Sequence, residues 1–313
     1  MADIGSFGLD VGIYGPLAET GTILGLARHA EDAGFDSVWF ADHVAFPVTF
    51  QAEYPYSAKG EFPTKLDAPL LEPVATMAVL AGATKRVKLG TAVLVMPYRN
   101  PLLLARMLVT IDQFSGGRVI LGAGVGWLEE EFQALSAFDF KRRGKVTDEY
   151  IEIFKAIAAG GEVGFQGETY SFPPVFSVPG SVQRPHPPVL VGGIADAALR
   201  RVAKHANGWL AVSAATDKVA ERLATLKRMT VEAGRRFEDL TLVYKIFLDI
   251  GTAKRNRAGA REPGTGSIEE IIGDLSALFA MGFTRIVVRY RGASADEMRR
   301  QIDRFVTEIV PKA

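Results

Sequence analysis

The chain is 313 residues long, 48% apolar, with 36 basic residues against 36 acidic ones. That length suits a barrel of about 250 residues with insertions, and the balanced charge offers no electrostatic footprint for nucleic acid or an anionic membrane surface. No cysteine is present, which excludes disulfides, thiol nucleophiles, Cys-ligated zinc and CxxC chemistry, so redox work would need an organic cofactor.

The opening MADIGSFGLDVGIYG lacks the basic flank and apolar run of a signal peptide. No apolar stretch reaches the roughly 20 residues that span a bilayer, and the expected location is the cytoplasm. Eight apolar runs of strand length then follow. They are GLDVGIYG (8–15), SVWFADH (37–43), VKLGTAVLVM (87–96), RVILGAGVGW (118–127), PVLVGG (188–193), GWLAVS (208–213), LTLVYKIFLDIG (240–251) and TRIVVRY (284–290). Near-continuous apolar runs are the mark of strands buried on both faces of a parallel sheet. Segments of helical periodicity lie between them, five of which end close to Gly34, Gly116, Gly160, Gly208 or Gly282, where glycine closes a helix. A last helix, ADEMRRQIDRFVTEIV, follows the eighth strand. An open doubly wound sheet also alternates in this way. Eight β-α units with no second core favour one α/β domain over residues 1–313, a (β/α)8 TIM barrel.

Three connections exceed plain turns and read as insertion loops, at about 44–70, 161–187 and 252–267. The first and third leave the C-terminal ends of strands, the face that carries barrel active sites. Phe46, Phe50, Tyr54, Tyr56 and Phe62 make the first either a lid over an apolar ring system or a surface packed on a neighbouring subunit. Phe46, Tyr56 and Trp127 are the candidate substrate-pocket residues.

Four strand ends carry the candidate chemistry. Asp42 and His43 close the second strand; histidine exchanges a proton near neutral pH and a neighbouring aspartate can orient it, or the two serve as a cap and a structural hydrogen bond. His29 and His205 fall in outer helices and His186 in a Pro-rich loop, all structural places, and no spacing suits a metal. Gly90-Thr91-Ala92-Val93 in the third strand suggests a bulge or close ligand approach, or small side chains packed in the barrel. Leu121-Gly122-Ala123-Gly124-Val125-Gly126-Trp127 resembles a dinucleotide fingerprint superficially, but Trp127 stands where GxGxxG needs glycine. Its glycines let backbone approach a planar ring. Gly192-Gly193-Ile194-Ala195-Asp196 leads into a helix whose N-terminal N–H groups can face a phosphate; Asp196 as the helix cap would oppose an anion. Lys245, Arg289 and Arg291 lie near strand ends, where they either meet the acidic tail of a cofactor or pair at the surface, the second being the expectation.

The strings GFDSVWFADH, LGTAVLVMPYRNPLLLARMLVTIDQFSGGRVILGAGVGWLEEEF and PPVLVGGIADAALRRVAKHANGW resemble the luciferase-like monooxygenase superfamily. They are most similar to its actinobacterial branch that uses the deazaflavin coenzyme F420, as is YPYSAKGEFP in the first insertion. The resemblance implies FMN or F420 at the C-terminal face and Asp42 and His43 beside the ring. It also implies a non-prolyl cis peptide at Ala92–Val93, Gly124 and Gly126 at the ring, and Gly192, Gly193, Ile194 and Ala195 at the phosphate. Thr91, next to that peptide, joins the cofactor set. Two departures matter. Ala195 lacks the hydroxyl many relatives have there, and Trp127 replaces an acid of the sugar-phosphate dehydrogenases, which argues against a sugar phosphate. The implied activity is F420-dependent hydride transfer to or from a small organic substrate, with His43 handling a proton and Asp42 orienting it or binding the ring. Alternatives are an FMN-dependent monooxygenase served by a separate reductase, and a non-catalytic flavin- or deazaflavin-binding protein. Relatives are commonly homodimers, and the apolar outer helices suit that.

Overall fold

A computed structural model describes residues 5–52, 54, 62, 65–212, 216–256, 259–290 and 294–313. Eight parallel strands form a closed barrel: β1 (Ser6–Asp10), β2 (Ser37–Phe40), β3 (Lys88–Thr91), β4 (Val119–Gly124), β5 (Val189–Gly192), β6 (Gly208–Val212), β7 (Thr241–Ile250) and β8 (Arg285–Tyr290). Each pairs with the next, and β8 closes on β1 with Phe7 opposite Ile286. The helices α1 (Thr20–Asp32), α2 (Pro73–Ala83), α3 (Pro101–Ser115), α4 (Glu129–Leu135), α5 (Arg143–Ala159), α6 (Asp196–His205), α7 (Thr216–Glu232), α8 (Ile268–Ala280) and α9 (Ala295–Arg304) follow the strands in chain order. Among the described residues no helix is long and apolar enough to cross a membrane.

The barrel is filled rather than hollow. Trp39 is fully buried among Ile120, Leu190, Leu210, Val243 and Val287. Gly8 and Gly90 make room for it, since a Cβ at either would lie 2.4 Å from the indole. Gly90 therefore accommodates a core side chain, not a ligand. With Trp39 plugging the centre, chemistry is confined to the C-terminal mouth.

Several boundaries differ from the sequence reading. β1 ends at Asp10 because Gly12 (φ 66°) and Gly15 (φ 79°) turn the chain away. Gly34, Gly116, Gly160 and Gly282 follow helices with positive φ, as expected. Gly208 does not: Ala206 caps α6, and Gly208 opens β6 because a Cβ there would lie 2.2 Å from the Thr241 carbonyl oxygen. The insertion at 161–187 is not a plain loop. Gly161–Gln166 and Ser171–Ser177 form an antiparallel hairpin, and Glu149 on α5 accepts the backbone N–H groups of Glu168, Thr169 and Tyr170 at its turn. Pro173 and Pro174 hide the second strand from a sequence reading, yet proline is tolerated on edge strands, and both strands of this ribbon are edges.

Candidate active site

β2 ends at Phe40, short of the 37–43 expected, and Ala41 and Asp42 carry the chain on to His43 at the mouth, where its side chain is only 7% exposed. The residue that orients it is Glu131 on α4, not Asp42. Glu131 Oε2 lies 2.7 Å from His43 Nδ1 and accepts the Tyr98 hydroxyl at 3.1 Å, while Oε1 accepts the N–H groups of Val44 and Ala45 at 2.7 and 3.1 Å. Burial opposes ionisation of this carboxyl. The bond and charge of His43 and the two backbone N–H groups outweigh it and hold Glu131 below its ordinary value. Glu131 is fully buried, as is Leu128 three positions before it, but nothing in the run Glu129-Glu130-Glu131 marks it out from its neighbours.

Asp42 is fully buried and built into the frame. Arg99 grips it with two bonds of 2.7 and 2.9 Å, and the Val95 N–H adds a third at 2.8 Å. Arg99 also bonds Glu72 Oε1 through Nε at 3.0 Å, and Glu72 caps α2. Burial pushes the Asp42 carboxyl up while Arg99 pulls against it, and the same pairing raises Arg99. Asp42 thus anchors the strand-end loop, and Arg99 was not foreseen.

The peptide Ala92–Val93 is cis, as the resemblance implied. Thr91 links β3 to β4 through its side chain: its hydroxyl donates to the Gly122 carbonyl and accepts the Gly122 N–H, both at 2.9 Å. Thr91→Val keeps the shape and removes both bonds. It is expected to destabilise the fold by about 1–3 kcal/mol, read from urea unfolding. Gly124 and Gly192 flank Val93; a Cβ at either would lie 2.3 or 2.5 Å from its methyl groups. These two glycines seat Val93 rather than admitting a ring directly. Gly126 (φ 84°) turns the chain toward α4.

At the start of α6, Gly193 has φ 111°, and its carbonyl accepts the Trp209 indole N–H at 2.7 Å. Asp196 is not the cap. It is the first helical residue, Ala195 holds the cap position, and no side chain caps this end. Arg222 bonds Asp196 at 2.8 Å, offsetting the charge that would repel an anion. Ile194 and Ala195 lie on this same loop.

Around His43 stand Tyr14, Phe46, Phe62 and Trp127, with ring centroids 5.9, 4.7, 5.3 and 6.1 Å away. Phe50 and Tyr54 pack on Trp127. Phe46, Phe50, Tyr54 and Phe62 of the first insertion therefore pack at the mouth of their own barrel. Tyr56 lies outside the described residues. His29 pairs with Asp303 and His205 with Glu152 on the outer helices, and among the described residues no side-chain cluster could hold a metal ion.

Lys245 and Arg289 are not surface residues. Both enter the mouth and meet Asp10 at the end of β1: Lys245 ion-pairs with Oδ2, and Arg289 Nη1 donates to Oδ1 at 2.6 Å. Burial works against the charge on Asp10, but the two cations outweigh it and hold its carboxyl below the ordinary value. Arg291 lies outside the described residues.

Known proteins share this architecture. Over 210 residues the chain is 36% identical to an uncharacterised protein of Mycobacterium tuberculosis, covering 67% of this chain and 72% of that one. A stretch of 140 residues is 34% identical to an FMNH2-dependent dimethylsulfone monooxygenase of Pseudomonas putida, covering 44% of this chain and 38% of that one. Among solved structures, an F420-dependent secondary alcohol dehydrogenase in complex with an F420-acetone adduct superposes with a TM-score of 0.78 at 17% identity, over 98% of each chain. Residues 8–299 match the pattern of the luciferase-like monooxygenase family, and the chain belongs to that family.

Proposed function

We propose that this protein is an F420-dependent oxidoreductase that moves a hydride between the deazaflavin and a small organic substrate at the barrel mouth. The observation that carries the reading is His43, buried within an aromatic enclosure and fixed through Nδ1 by Glu131. Fixing Nδ1 directs the opposite nitrogen, Nε2, away from Glu131, where it can give or take a proton as a substrate oxygen gains or loses charge.

The residues present fit such a cofactor. Val93, seated between Gly124 and Gly192, offers an apolar base for a flat ring. The uncapped first turn of α6, with Gly193, Ile194 and Ala195 before it, offers N–H groups to a phosphate. Thr91, Asp42 and Gly126 hold that frame from behind. When bound, the deazaflavin supplies or accepts the hydride. Phe46 and Trp127 exclude water over the reacting centre.

The preference for F420 rests on the motif resemblance. The stretch shared with the FMNH2-dependent enzyme favours a second reading, a two-component monooxygenase fed by a separate reductase. Oxygen uptake separates the two, because a deazaflavin transfers hydride without activating oxygen. Protein loaded with reduced F420 is expected to convert substrate without consuming oxygen. Stoichiometric oxygen uptake with reduced FMN, and none of the F420-linked turnover, would replace this reading with the second.

A further inference from the structure

Hydride transfer leaves one charge arrangement at the mouth unused. Asp10, Lys245 and Arg289 come from the adjacent strands β1, β7 and β8, with side chains 0, 8 and 15% exposed. Among the described residues this cluster sets two cations against one carboxylate. Lys245 ion-pairs with Asp10 and donates to the Ala92 carbonyl at 3.3 Å. Asp10 Oδ1 also accepts the Gly12 N–H at 3.0 Å, and this single carboxylate balances the charge of one of the two cations. A buried charge without a full counterion is costly. An anion brought by a ligand would complete the set.

Arg289 is the cation placed to meet it. Its guanidinium lies 5.3 Å from the centre of the Tyr14 ring, and Tyr14 in turn contacts His43. The surplus cation and the proton-handling histidine thus share one aromatic neighbour. The local backbone is shaped for the guanidinium: at Gly12 (φ 66°) a Cβ would lie 2.4 Å from Arg289 Nη1.

We propose that Arg289 is the anion-recognising residue of the substrate pocket and that the substrate carries a carboxylate. One surplus charge matches a monoanion, whereas a phosphate monoester carries close to two negative charges at neutral pH. A guanidinium fork binds a carboxylate through two parallel bonds and fixes its orientation, which would present the neighbouring carbon toward His43. This placement of the reacting carbon rests on the proposed function; the anion site does not.

The test uses a matched pair of probes, cinnamate and cinnamamide, titrated by calorimetry into the whole protein with and without F420. F420 affinity is measured in the same samples. Wild type is expected to bind the carboxylate at least about tenfold more tightly than the amide. Arg289→Gln should abolish that preference while amide and F420 affinities stay within about twofold. Arg289→Lys, which keeps the charge and the fold but not the fork, should retain part of it. Equal binding of the two probes by wild type, or binding of neither, overturns the proposal. So does a preference that survives in Arg289→Gln while F420 affinity falls, which would assign the cation to the cofactor's acidic tail. An Arg289-dependent carboxylate preference in a protein that does not bind F420 would instead leave this site standing and remove the proposed function.

Discussion

Replacing His43 with alanine is expected to lower kcat by about 10²–10⁴-fold, the usual worth of a positioned general acid or base. Cofactor affinity should change little, because the framing bonds at the mouth do not pass through His43. Its side chain bonds Glu131 alone among the described residues, while Val93, Gly124 and Gly192 are held by other contacts. Steady-state kinetics beside a cofactor titration separate the two effects. A variant with unchanged kcat would remove His43 from the chemistry, and one that loses cofactor affinity with kcat intact would make it a binding residue.

Glu131→Ala should be the most destabilising of the single changes considered, by about 3–5 kcal/mol, because it strands the buried partners of a fully buried carboxylate. The N–H groups of Val44 and Ala45, the Tyr98 hydroxyl and His43 Nδ1 would all lose their acceptor together. Glu131→Gln keeps an acceptor for the backbone and should cost less stability. It still loses the charge that fixes His43, so its kcat should fall more than its melting temperature suggests. The pH dependence has a definite sign. The folded carboxyl sits below its ordinary value of 4.5, so its stabilisation is present above that value and is lost as pH falls from about 4.5 through the folded one. Acid unfolding curves of wild type and Glu131→Gln should therefore converge as pH drops below 4.5. Parallel curves would show that Glu131 is not ionised in the fold.

The barrel was legible because strands buried on both faces cannot alternate, and their apolar runs stand out between helical segments. The hairpin at 161–187 was not, because Pro173 and Pro174 break the strand pattern where an edge tolerates them. At the site, His43 was visible as a titratable group ending an apolar strand. Its true partner was not, since Glu131 is one of three consecutive acids and lies 88 positions away. The adjacent Asp42 looked like the natural partner, but both residues lie beyond the end of β2 at Phe40, and Asp42 turns to Arg99. Lys245 and Arg289 were expected to pair at the surface, and Asp10 carried no expectation, yet the three meet inside the barrel. A charge inside an otherwise apolar strand has to find a counter-charge within the barrel, and three such charges on adjacent strands find one another.

Equilibrium titration of the purified protein with F420 and with FMN, followed by absorbance, bears most directly on the central claim. The account predicts saturable F420 binding at least about tenfold tighter than FMN, undiminished in His43→Ala. Preferential binding of FMN, or binding of neither, would contradict it.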